Sequence, residues 1–276
     1  MTDHGPTIEI DCFNIREWKN YQVPRSMVNQ DLLAAGWIPF WFGLCKQPIN
    51  RCYKTGDLER FVFLSLMEYY EGKHINFFQL GAGLGNWCMA LEGNLRFRCT
   101  PGPASYLALA VEAEPTHYQW AKECFEVNGV TGIVVHGAVC EEVGTRKFVT
   151  DTDPLTHYGQ HIVEKDGDRT ITVPSWTVDH LREKYGLNHI HIVQIDVQGS
   201  EALCVMGCKE SLDLIDFFMI ETHNTAVEER LKELLAHTHD LVIELPRYGH
   251  LELPGFSQPF RGIGGGLHLW KRSISA

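Results

Sequence analysis

The sequence predicts an α/β domain with a doubly wound, mostly parallel sheet of seven strands and an antiparallel hairpin at one edge. From residue 74 onwards, short apolar stretches with strand character alternate with amphipathic stretches of helical period, which is typical of a parallel sheet covered by helices. The last two predicted strands are joined by a Pro- and Gly-rich loop without a helix, which indicates the antiparallel edge. Residues 1–73 lack this alternation and are predicted to form an N-terminal helical cap, so the α/β domain spans 74–276.

Local patterns predict the individual elements. The nearly all-apolar stretch at 191–196 indicates a strand covered on both faces, and Pro115 suits the first turn of a helix. Strands are predicted at 75–80, 105–113, 132–139, 191–196, 216–222, 241–245 and 264–271. Helices are predicted at 57–70, 85–91, 115–127, 177–187, from 199, and at 226–236. An insertion is predicted at 140–175, with short strands at 147–150 and 169–173.

Composition restricts the partners and the compartment. The chain of 276 residues carries a formal net charge of −11, which argues against a nucleic-acid partner, because binding a phosphate backbone needs a basic face. Its 9 cysteines are scattered without a C-x-x-C pair, so no zinc or redox motif is indicated. The sequence shows neither a secretory signal nor an apolar run of the ~20 residues that cross a bilayer. We therefore expect a cytoplasmic protein with reduced thiols and no membrane partner.

A glycine-rich turn follows the first predicted strand of the α/β domain. Gly81, Gly83 and Gly85 are spaced every second residue, directly before a helical pattern. Glycine allows a close approach of a ligand, and the unpaired N–H groups of a helix start attract negative charge. The turn therefore predicts a site for a nucleotide-like cofactor, although a tight connection without a ligand has the same pattern. In the dinucleotide fingerprint G-x-G-x-x-G the third glycine would stand at Asn86, one residue after Gly85.

A carboxylate ends the second predicted strand. Glu112 follows an apolar stretch that begins at Ser105. An acidic residue at the tip of this strand can accept hydrogen bonds from both ribose hydroxyl groups of a bound nucleotide. A solvated strand end is the alternative, but the glycine turn before it favours ribose binding.

Four segments of the α/β domain carry recognisable motifs. They are residues 80–85 (LGAGLG), 111–115 (VEAEP), 173–179 (VPSWTVD) and 194–201 (QIDVQGSE), and IETH at 220–223 accompanies them. Together they resemble the FkbM family of S-adenosylmethionine (SAM)-dependent methyltransferases, which mostly methylate oxygen. The resemblance covers roughly residues 75–225 in the right order and implies a class I, Rossmann-like fold with SAM as cofactor.

The sequence departs from the family at two positions of the glycine turn. The family usually has an acidic residue where Gln79 stands and an asparagine where Gly83 stands. An acid at the first position would bind the cationic amino group of the methionine part of SAM, whereas Gln79 offers a neutral carbonyl oxygen.

Ligands of open α/β sheets bind beyond the carboxyl ends of the strands. These ends, taken with the resemblance, predict the following cofactor-binding residues: Gln79, Leu80, Gly81, Ala82, Gly83, Gly85, Asn86, Trp87, Glu112, Ala113, Gly137, Ala138, Val139 and Asp196.

A hydroxyl acceptor needs a group that takes its proton, and the ends of the fourth and fifth strands offer candidates. Asp196 is the first candidate for the base or for a group that orients the acceptor. His223 is the second, since imidazole titrates near neutral pH. Glu221 would orient His223 or join Asp196, and the three could also hold a divalent metal, although no metal ligand is assigned. Glu201 is interpreted as a favourable carboxylate in the first turn of the next helix.

The insertion offers a candidate substrate loop. Its segment 151–161 places His157, Tyr158 and His161 beside the predicted crevice. A solvated loop is the default interpretation, and a loop that gates the substrate is the alternative. In the N-terminal cap, the apolar segment 36–43 has three interpretations: a cover for the core, a wall of the substrate pocket, or a subunit interface of a homodimer.

The predicted function is SAM-dependent O-methylation of a hydroxyl group on a small-molecule or glycan acceptor, either a sugar or a secondary metabolite. This acceptor class comes from the resemblance alone. A nicotinamide-dependent oxidoreductase is one alternative. The position of Gly85 and the motif at 194–201 argue against it. A non-catalytic SAM-binding domain is the other, because of Gln79 and Gly83.

Overall fold

The computed structural model describes residues 7–10, 21–24, 58–97, 102–150, 159–165, 167–254, 258–262 and 265–273. The helices are α1 (Leu58–Tyr69), α2 (Asn86–Phe97), α3 (Pro115–Asn128), α4 (Val178–Lys184), α5 (Glu201–Met206) and α6 (Thr225–Leu235). The strands are β1 (Thr7–Ile10), β2 (Tyr21–Pro24), β3 (His74–Leu80), β4 (Ser105–Glu112), β5 (Gly132–His136), β6 (Ala138–Val139), β7 (Gly144–Val149), β8 (Ile162–Val163), β9 (Thr170–Trp176), β10 (Ile190–Ile195), β11 (Ile215–Thr222), β12 (His239–Leu245), β13 (His250–Leu251), β14 (Phe260–Arg261) and β15 (Gly266–Arg272).

A seven-stranded sheet with the order β12-β15-β11-β10-β3-β4-β5 forms the centre of the fold. The strands from β11 to β5 pair in parallel, while β15 runs antiparallel between β11 and β12. This arrangement confirms the doubly wound, mostly parallel sheet and its antiparallel edge. The strand order reverses at β3, which lies between β4 and β10, and ligands bind such sheets beyond the carboxyl ends at this point.

The central strands bury apolar side chains on both faces of the sheet. Neighbouring residues of a strand point to opposite faces. Phe77 and Ile192 face one buried cluster, which includes residues of α1, α2 and α3. Phe78 and Val193 face the other cluster, which includes residues of α4, α5 and α6. Helices on both faces therefore explain why the sequence of β10 shows no polar alternation.

Helix α1 links the two ends of the sheet. Its last turn lies four residues before the amino end of β3, while Glu59 in its first turn lies at the carboxyl ends of the strands. The ring of Phe63 meets the edge of Phe77, with 6.1 Å between the ring centroids, and lies 4.8 Å from the ring of Trp87 in the first turn of α2. The first turn of α1 is therefore brought close to the glycine turn that precedes α2.

The predicted third strand, 132–139, is divided into two strands. β5 ends at His136, Gly137 takes a φ of +141°, and β6 then joins a second sheet with the order β6-β9-β7-β8. A Cβ on Gly137 would lie 2.6 Å from Nε1 of Trp176, so only glycine allows this change of direction. The insertion is thus a small sheet of its own, in which β8 was not predicted, and α2 extends beyond its predicted end to Phe97.

Most of the predicted N-terminal cap, including segment 36–43, lies outside the described residues. Within it the structure describes β1 and β2, an antiparallel pair that was not predicted, and confirms the helix predicted at 57–70 as Leu58–Tyr69. The division of the chain at 73/74 stays a prediction. No helix in the described part of the chain is long and apolar enough to cross a membrane.

A hydrogen bond at the amino ends of the strands provides a test of this packing. Oη of Tyr70 donates to Oδ2 of Asp216 at 2.9 Å, and burial raises the pKa of Tyr70, so the hydroxyl stays a neutral donor. Tyr70→Phe should lower the free energy of unfolding by about 1–2 kcal/mol, measured by urea denaturation, because this hydrogen bond to a charged group is lost. The neighbouring Tyr69 is 51% exposed, so Tyr69→Phe is the matched control. Equal effects of the two substitutions would contradict the assignment.

Candidate active site

A cavity of about 420 Å³ lies at the carboxyl ends of the central strands, where the strand order reverses. Its volume falls within the range of about 300–1,000 Å³ of small-molecule sites. Most of the predicted cofactor-binding residues line it: Gln79, Gly81, Ala82, Gly83, Asn86, Trp87, Glu112, Ala113, Gly137, Ala138, Val139 and Asp196. The wall also contains the catalytic candidate Glu221, together with residues that had not been assigned to a site: Glu59, Val111, His117, Phe148, Gln160, Ile162, Gln194, Val197 and Gln198.

The glycine turn is fixed between the ends of β4 and β10. Gly81 has a φ of +76°, and the N–H groups of Gly81 and Ala82 both donate to the carbonyl oxygen of Val111 at 3.0 Å. A Cβ on Gly81 would overlap the carbonyl oxygen of Asp196. The N–H of Asp196 donates in turn to the carbonyl oxygen of Leu80 at 2.9 Å. The turn and Asp196 are therefore in direct contact, which only glycine at position 81 allows.

Two residues predicted to bind the cofactor do not line the cavity. Leu80 is fully buried, and its side chain belongs to the apolar cluster on the α4–α6 face of the sheet. Gly85 has a φ of +79°, and a Cβ there would lie 2.5 Å from Cε1 of Phe125 in α3. The third glycine therefore allows α3 to pack against the turn, and both residues support the site without lining it.

Glu112 presents a carboxylate at a fixed position on the cavity wall. Oε2 accepts a hydrogen bond from the N–H of Gly83 at 2.7 Å, and Oε1 accepts one from the N–H of Glu114 at 2.8 Å. Burial raises the pKa of Glu112, while nearby His117 and the two N–H groups oppose this shift. Each oxygen keeps a lone pair for a further donor, which fits the predicted contact with two ribose hydroxyl groups.

Gln79 makes its hydrogen bonds within the protein. Oε1 accepts from the N–H of Cys88 at 3.2 Å, and Nε2 donates to the carbonyl oxygen of Ala82 at 3.3 Å. The buried side chain thus ties the glycine turn to the first turn of α2. Oε1 of Gln79, the oxygen available for the amino group of the cofactor, therefore already accepts a hydrogen bond from α2.

The end of the cavity next to β5 is largely apolar. Ala113, residues 137–139 and Phe148 line it, and Ile162 of β8 closes it from the small sheet. An aromatic base has an apolar face and polar edges, so this end suits the adenine of SAM better than its charged methionine part.

Within the described residues, the predicted substrate loop lines the cavity, but with residues other than the predicted His157, Tyr158 and His161. Gln160 and Ile162 line the cavity, whereas His161 between them is exposed, because alternate residues of an extended chain point in opposite directions. Nδ1 of His161 lies 3.0 Å from a backbone carbonyl oxygen two residues earlier. The role of His161 in a substrate loop therefore stays a prediction, and His157 and Tyr158 lie outside the described residues.

A cluster of polar side chains lies beyond the ends of β10 and β11. Nδ1 of His223 is 2.8 Å from Oε1 of Glu201. Nε2 of the same ring is 3.0 Å from Nε2 of Gln198, 3.6 Å from Oδ1 of Asp196 and 3.9 Å from Oε1 of Glu221. The structure therefore brings together the three predicted catalytic residues, with Asp196 and Glu221 on the cavity wall and His223 behind them.

Glu201 lies in the first turn of α5, which confirms its interpretation as a helix-start carboxylate, and it also contacts His223. The side chain is completely buried, and besides His223 it accepts the N–H of Gly199 at 2.9 Å. The N-cap residue of α5, Ser200, makes no capping hydrogen bond with its side chain. The sequence indicates an acid at a helix start, but the burial of Glu201 and its contact across the chain with His223 depend on the packing of α5 against β11.

Burial and mutual charge shift the proton affinities of this cluster. Burial raises the pKa of Asp196, and it raises the pKa of Glu221 to about 7, with the charge of Asp196 contributing. Burial alone would lower the pKa of His223, but the hydrogen bond to Glu201 and the charge of Asp196 outweigh it, and the pKa is raised. Glu221 therefore exchanges its proton near neutral pH, and the charge state of each of the three groups affects the proton affinity of the others.

Gln198 reaches this cluster through an unusual backbone conformation. Its φ of +56° is in the left-handed region, which costs a non-glycine residue on the order of 1 kcal/mol. The conformation places the amide between Asp196 and His223, and Nε2 donates to Oδ1 of Asp196 at 3.1 Å. Such strain is typical of functional sites. Both ring nitrogens of His223 are engaged, so a metal would have to displace Glu201 or Gln198.

A second cluster lies at the amino ends of β10 and β11. Ligand atoms of His189, His191 and Asp216 lie within 4.8 Å of one another, which a bound cation would require. However, Nδ1 of His191 accepts the N–H of Asn76 at 2.8 Å, so Nε2 carries the proton of the neutral ring. Burial lowers the pKa of His191 to about 4, and Nε2 of His189 already contacts Asp216 at 2.8 Å. This cluster is a hydrogen-bond network at the amino ends of β10 and β11.

Comparisons with known proteins identify one family. A family model described as the methyltransferase FkbM domain matches residues 79–250, a region that begins after α1. A comparison with curated proteins gives no match. Among solved structures, the chain is similar to M. capricolum TrmK in complex with S-adenosyl-homocysteine, with a TM-score of 0.41 and 11% identity, covering 76% of this chain and 67% of that one.

Two further solved structures are similar to this chain. The precorrin-6y C5,15-methyltransferase from Geobacter metallireducens GS-15 has a TM-score of 0.42 and 8% identity, covering 78% of this chain and 86% of that one. The METTL16 methyltransferase domain has a TM-score of 0.44 and 14% identity, covering 78% of this chain and 66% of that one.

The position of Glu112 leads to a prediction for cofactor binding. Glu112→Ala should weaken the binding of S-adenosylhomocysteine (SAH), measured by calorimetry, by about 100-fold or more, because two hydrogen bonds to a charged group are lost. Glu126→Ala, on the exposed surface of α3, is the control and should leave the affinity unchanged. An unchanged affinity of the Glu112 variant would show that the ribose lies elsewhere.

Proposed function

Because the chain belongs to the FkbM family of methyltransferases, we propose that it transfers the methyl group of SAM to a hydroxyl oxygen of a sugar or of a secondary metabolite. SAM dependence and methyl transfer follow from the family. The hydroxyl acceptor is supported by the proton-accepting groups on the cavity wall, because a hydroxyl gives up its proton far above neutral pH and so depends on a positioned base.

The observation that carries the proposal is the cluster at the ends of β10 and β11. Asp196 and Glu221 line the cavity, and His223 contacts both carboxylates from behind. The contact between Gly81 and the backbone of Asp196 fixes this cluster against the cofactor turn. A proton acceptor is therefore held at a constant distance from the cofactor site, as a positioned reaction requires.

Each residue of the cluster has a distinct part in the proposed reaction. Bound SAM supplies an activated methyl group. Oδ1 of Asp196 accepts the proton of the acceptor hydroxyl and so makes its oxygen a stronger nucleophile. Glu201 accepts Nδ1–H of His223, so Nε2 of the ring accepts from Nε2 of Gln198 and holds that amide on Oδ1 of Asp196. Glu221, whose pKa is about 7, exchanges the proton with solvent.

Charge supports a neutral small-molecule or glycan acceptor over a nucleic acid. The formal net charge of −11 repels a phosphate backbone, and the cavity wall adds the carboxyl groups of Asp196 and Glu221. A neutral hydroxyl compound meets no such repulsion.

Methyl transfer itself provides the direct test. The protein, incubated with methyl-labelled SAM and a panel of sugars and hydroxylated metabolites, should produce a methyl ether that mass spectrometry and NMR identify. Asp196→Asn keeps the shape of the side chain but removes the base, so kcat should fall by roughly 10²- to 10⁴-fold while SAH affinity stays within about threefold.

Asp213→Asn, an exposed substitution, is the matched control and should change neither kcat nor SAH affinity. Equal losses of kcat and SAH affinity in the Asp196 variant would make Asp196 a binding residue. Binding of SAH without turnover on the whole panel would favour the non-catalytic alternative, and a methylated nitrogen in the product would contradict the proposed acceptor.

The pKa of Glu221 predicts the pH dependence. The proposed reaction needs deprotonated carboxylates, so kcat/KM should fall as the pH falls through about 7, where Glu221 gains its proton. Glu221→Gln removes one titrating group and its negative charge, so the remaining midpoint should move to lower pH. A pH profile of the variant identical to that of the wild type would exclude Glu221 from the titrating cluster.

A further inference from the structure

One buried acceptor on the cavity wall lacks a partner. Gln194 of β10 is only 1% exposed, and its Oε1 has no hydrogen-bond partner in the described part of the chain. A buried polar atom without a partner costs about 1–3 kcal/mol, so native proteins rarely retain one without a reason. Because the side chain lines the cavity, a donor on a bound ligand would remove this cost.

The location of Gln194 defines which part of a ligand it would meet. Gln194 pairs in register with Gln79 of β3, so both side chains point to the face of the sheet that α1 and α2 cover. The apolar end of the cavity lies at β5, on the other side of Glu112. With the ribose at Glu112 and the adenine at the apolar end, the methionine part of SAM extends towards Gln194.

Helix α1 brings a carboxylate to the same end of the cavity. Glu59, in the first turn of α1, lines the cavity, and it lies one helical turn before Phe63 on the same side of the helix. Phe63 packs against Trp87, which itself lines the cavity beside the glycine turn. Packing of an apolar pair thus fixes where the carboxylate of Glu59 stands.

We propose that Glu59 and Oε1 of Gln194 bind the α-ammonium group of the methionine part of SAM. Both groups are acceptors, one of them charged, and an ammonium offers three donors and a positive charge. Gln79 stands where the family has an acid, but it is neutral and its Oε1 accepts the N–H of Cys88. The negative charge is therefore supplied from α1, outside the region that matches the family model. The proposal depends on SAM binding and not on the acceptor.

A pair of ligands separates this contact from the rest of the cofactor site. SAH carries the amino-acid part, whereas 5′-methylthioadenosine has the same adenosine and sulfur without the ammonium and carboxylate groups. Calorimetry with both ligands on wild type, Glu59→Gln and Gln194→Met should show a loss of SAH affinity of about tenfold or more in each variant. The affinity for 5′-methylthioadenosine should stay within about twofold of wild type.

Glu68→Gln, an exposed substitution on the same helix, is the matched control and should change neither affinity. Unchanged SAH affinity in both variants would overturn the proposal. Equal losses for the two ligands would overturn it as well, since they would indicate damage to the whole site. If the wild-type protein bound neither ligand, SAM binding itself would fail, and this result is distinguishable from a failure of the ammonium contact.

Discussion

The close approach of the glycine turn to the end of β10 is the constraint on which the rest of the site depends. Gly81 lies against the carbonyl oxygen of Asp196, and the N–H of Asp196 bonds to the carbonyl oxygen of Leu80. Any side chain at position 81 would separate the two strands at the point where the sheet order reverses. The glycine turn and the cluster of Asp196, Glu221 and His223 are therefore joined through one backbone arrangement.

The cavity divides into regions of different chemistry along the strand order. The end at β5 is apolar, Glu112 stands at β4, and the charged cluster of Asp196, Glu221 and His223 occupies the ends of β10 and β11. Such a gradient suits a ligand with an aromatic base at one end and a charged, reactive part at the other. In the same way the cluster suits a reaction that transfers a proton, because burial raises the pKa of Glu221 to about 7 and the contact with Glu201 raises the pKa of His223.

Local sequence patterns were sufficient to predict the fold and part of the site. Glycine spacing and strand ends identified Gly81 and Glu112, because their functions follow from the chain near them. The contact of Glu201 with His223 and the oxygen of Gln194 that lacks a partner among the described residues could not be predicted in this way, since an acid at a helix start and a glutamine in a strand are both ordinary. Their significance comes from burial. Glu59 lies outside the motifs in sequence, and the helix that packs Phe63 on Trp87 carries it to the cavity wall.

The motif at 194–201 supplies more residues to the site than were predicted from the sequence. It includes Gln194, Asp196, Gln198 and Glu201, and the structure places three of these on the cavity wall and the fourth behind His223. Alternation along β10 explains the first pair, because residues two apart point to the same face. The left-handed conformation of Gln198 was not predictable, since glutamine gives no sign of it.

A crystal structure of the complex with SAH would test the central claim, that one backbone arrangement joins the cofactor turn to the proton-accepting cluster. We expect the ribose hydroxyl groups on Glu112, the sulfur beside Gly81, and the carboxylate of Asp196 facing the space next to the sulfur. A complex in which SAH lies at the glycine turn while Asp196 and His223 face away from the sulfur would contradict the account.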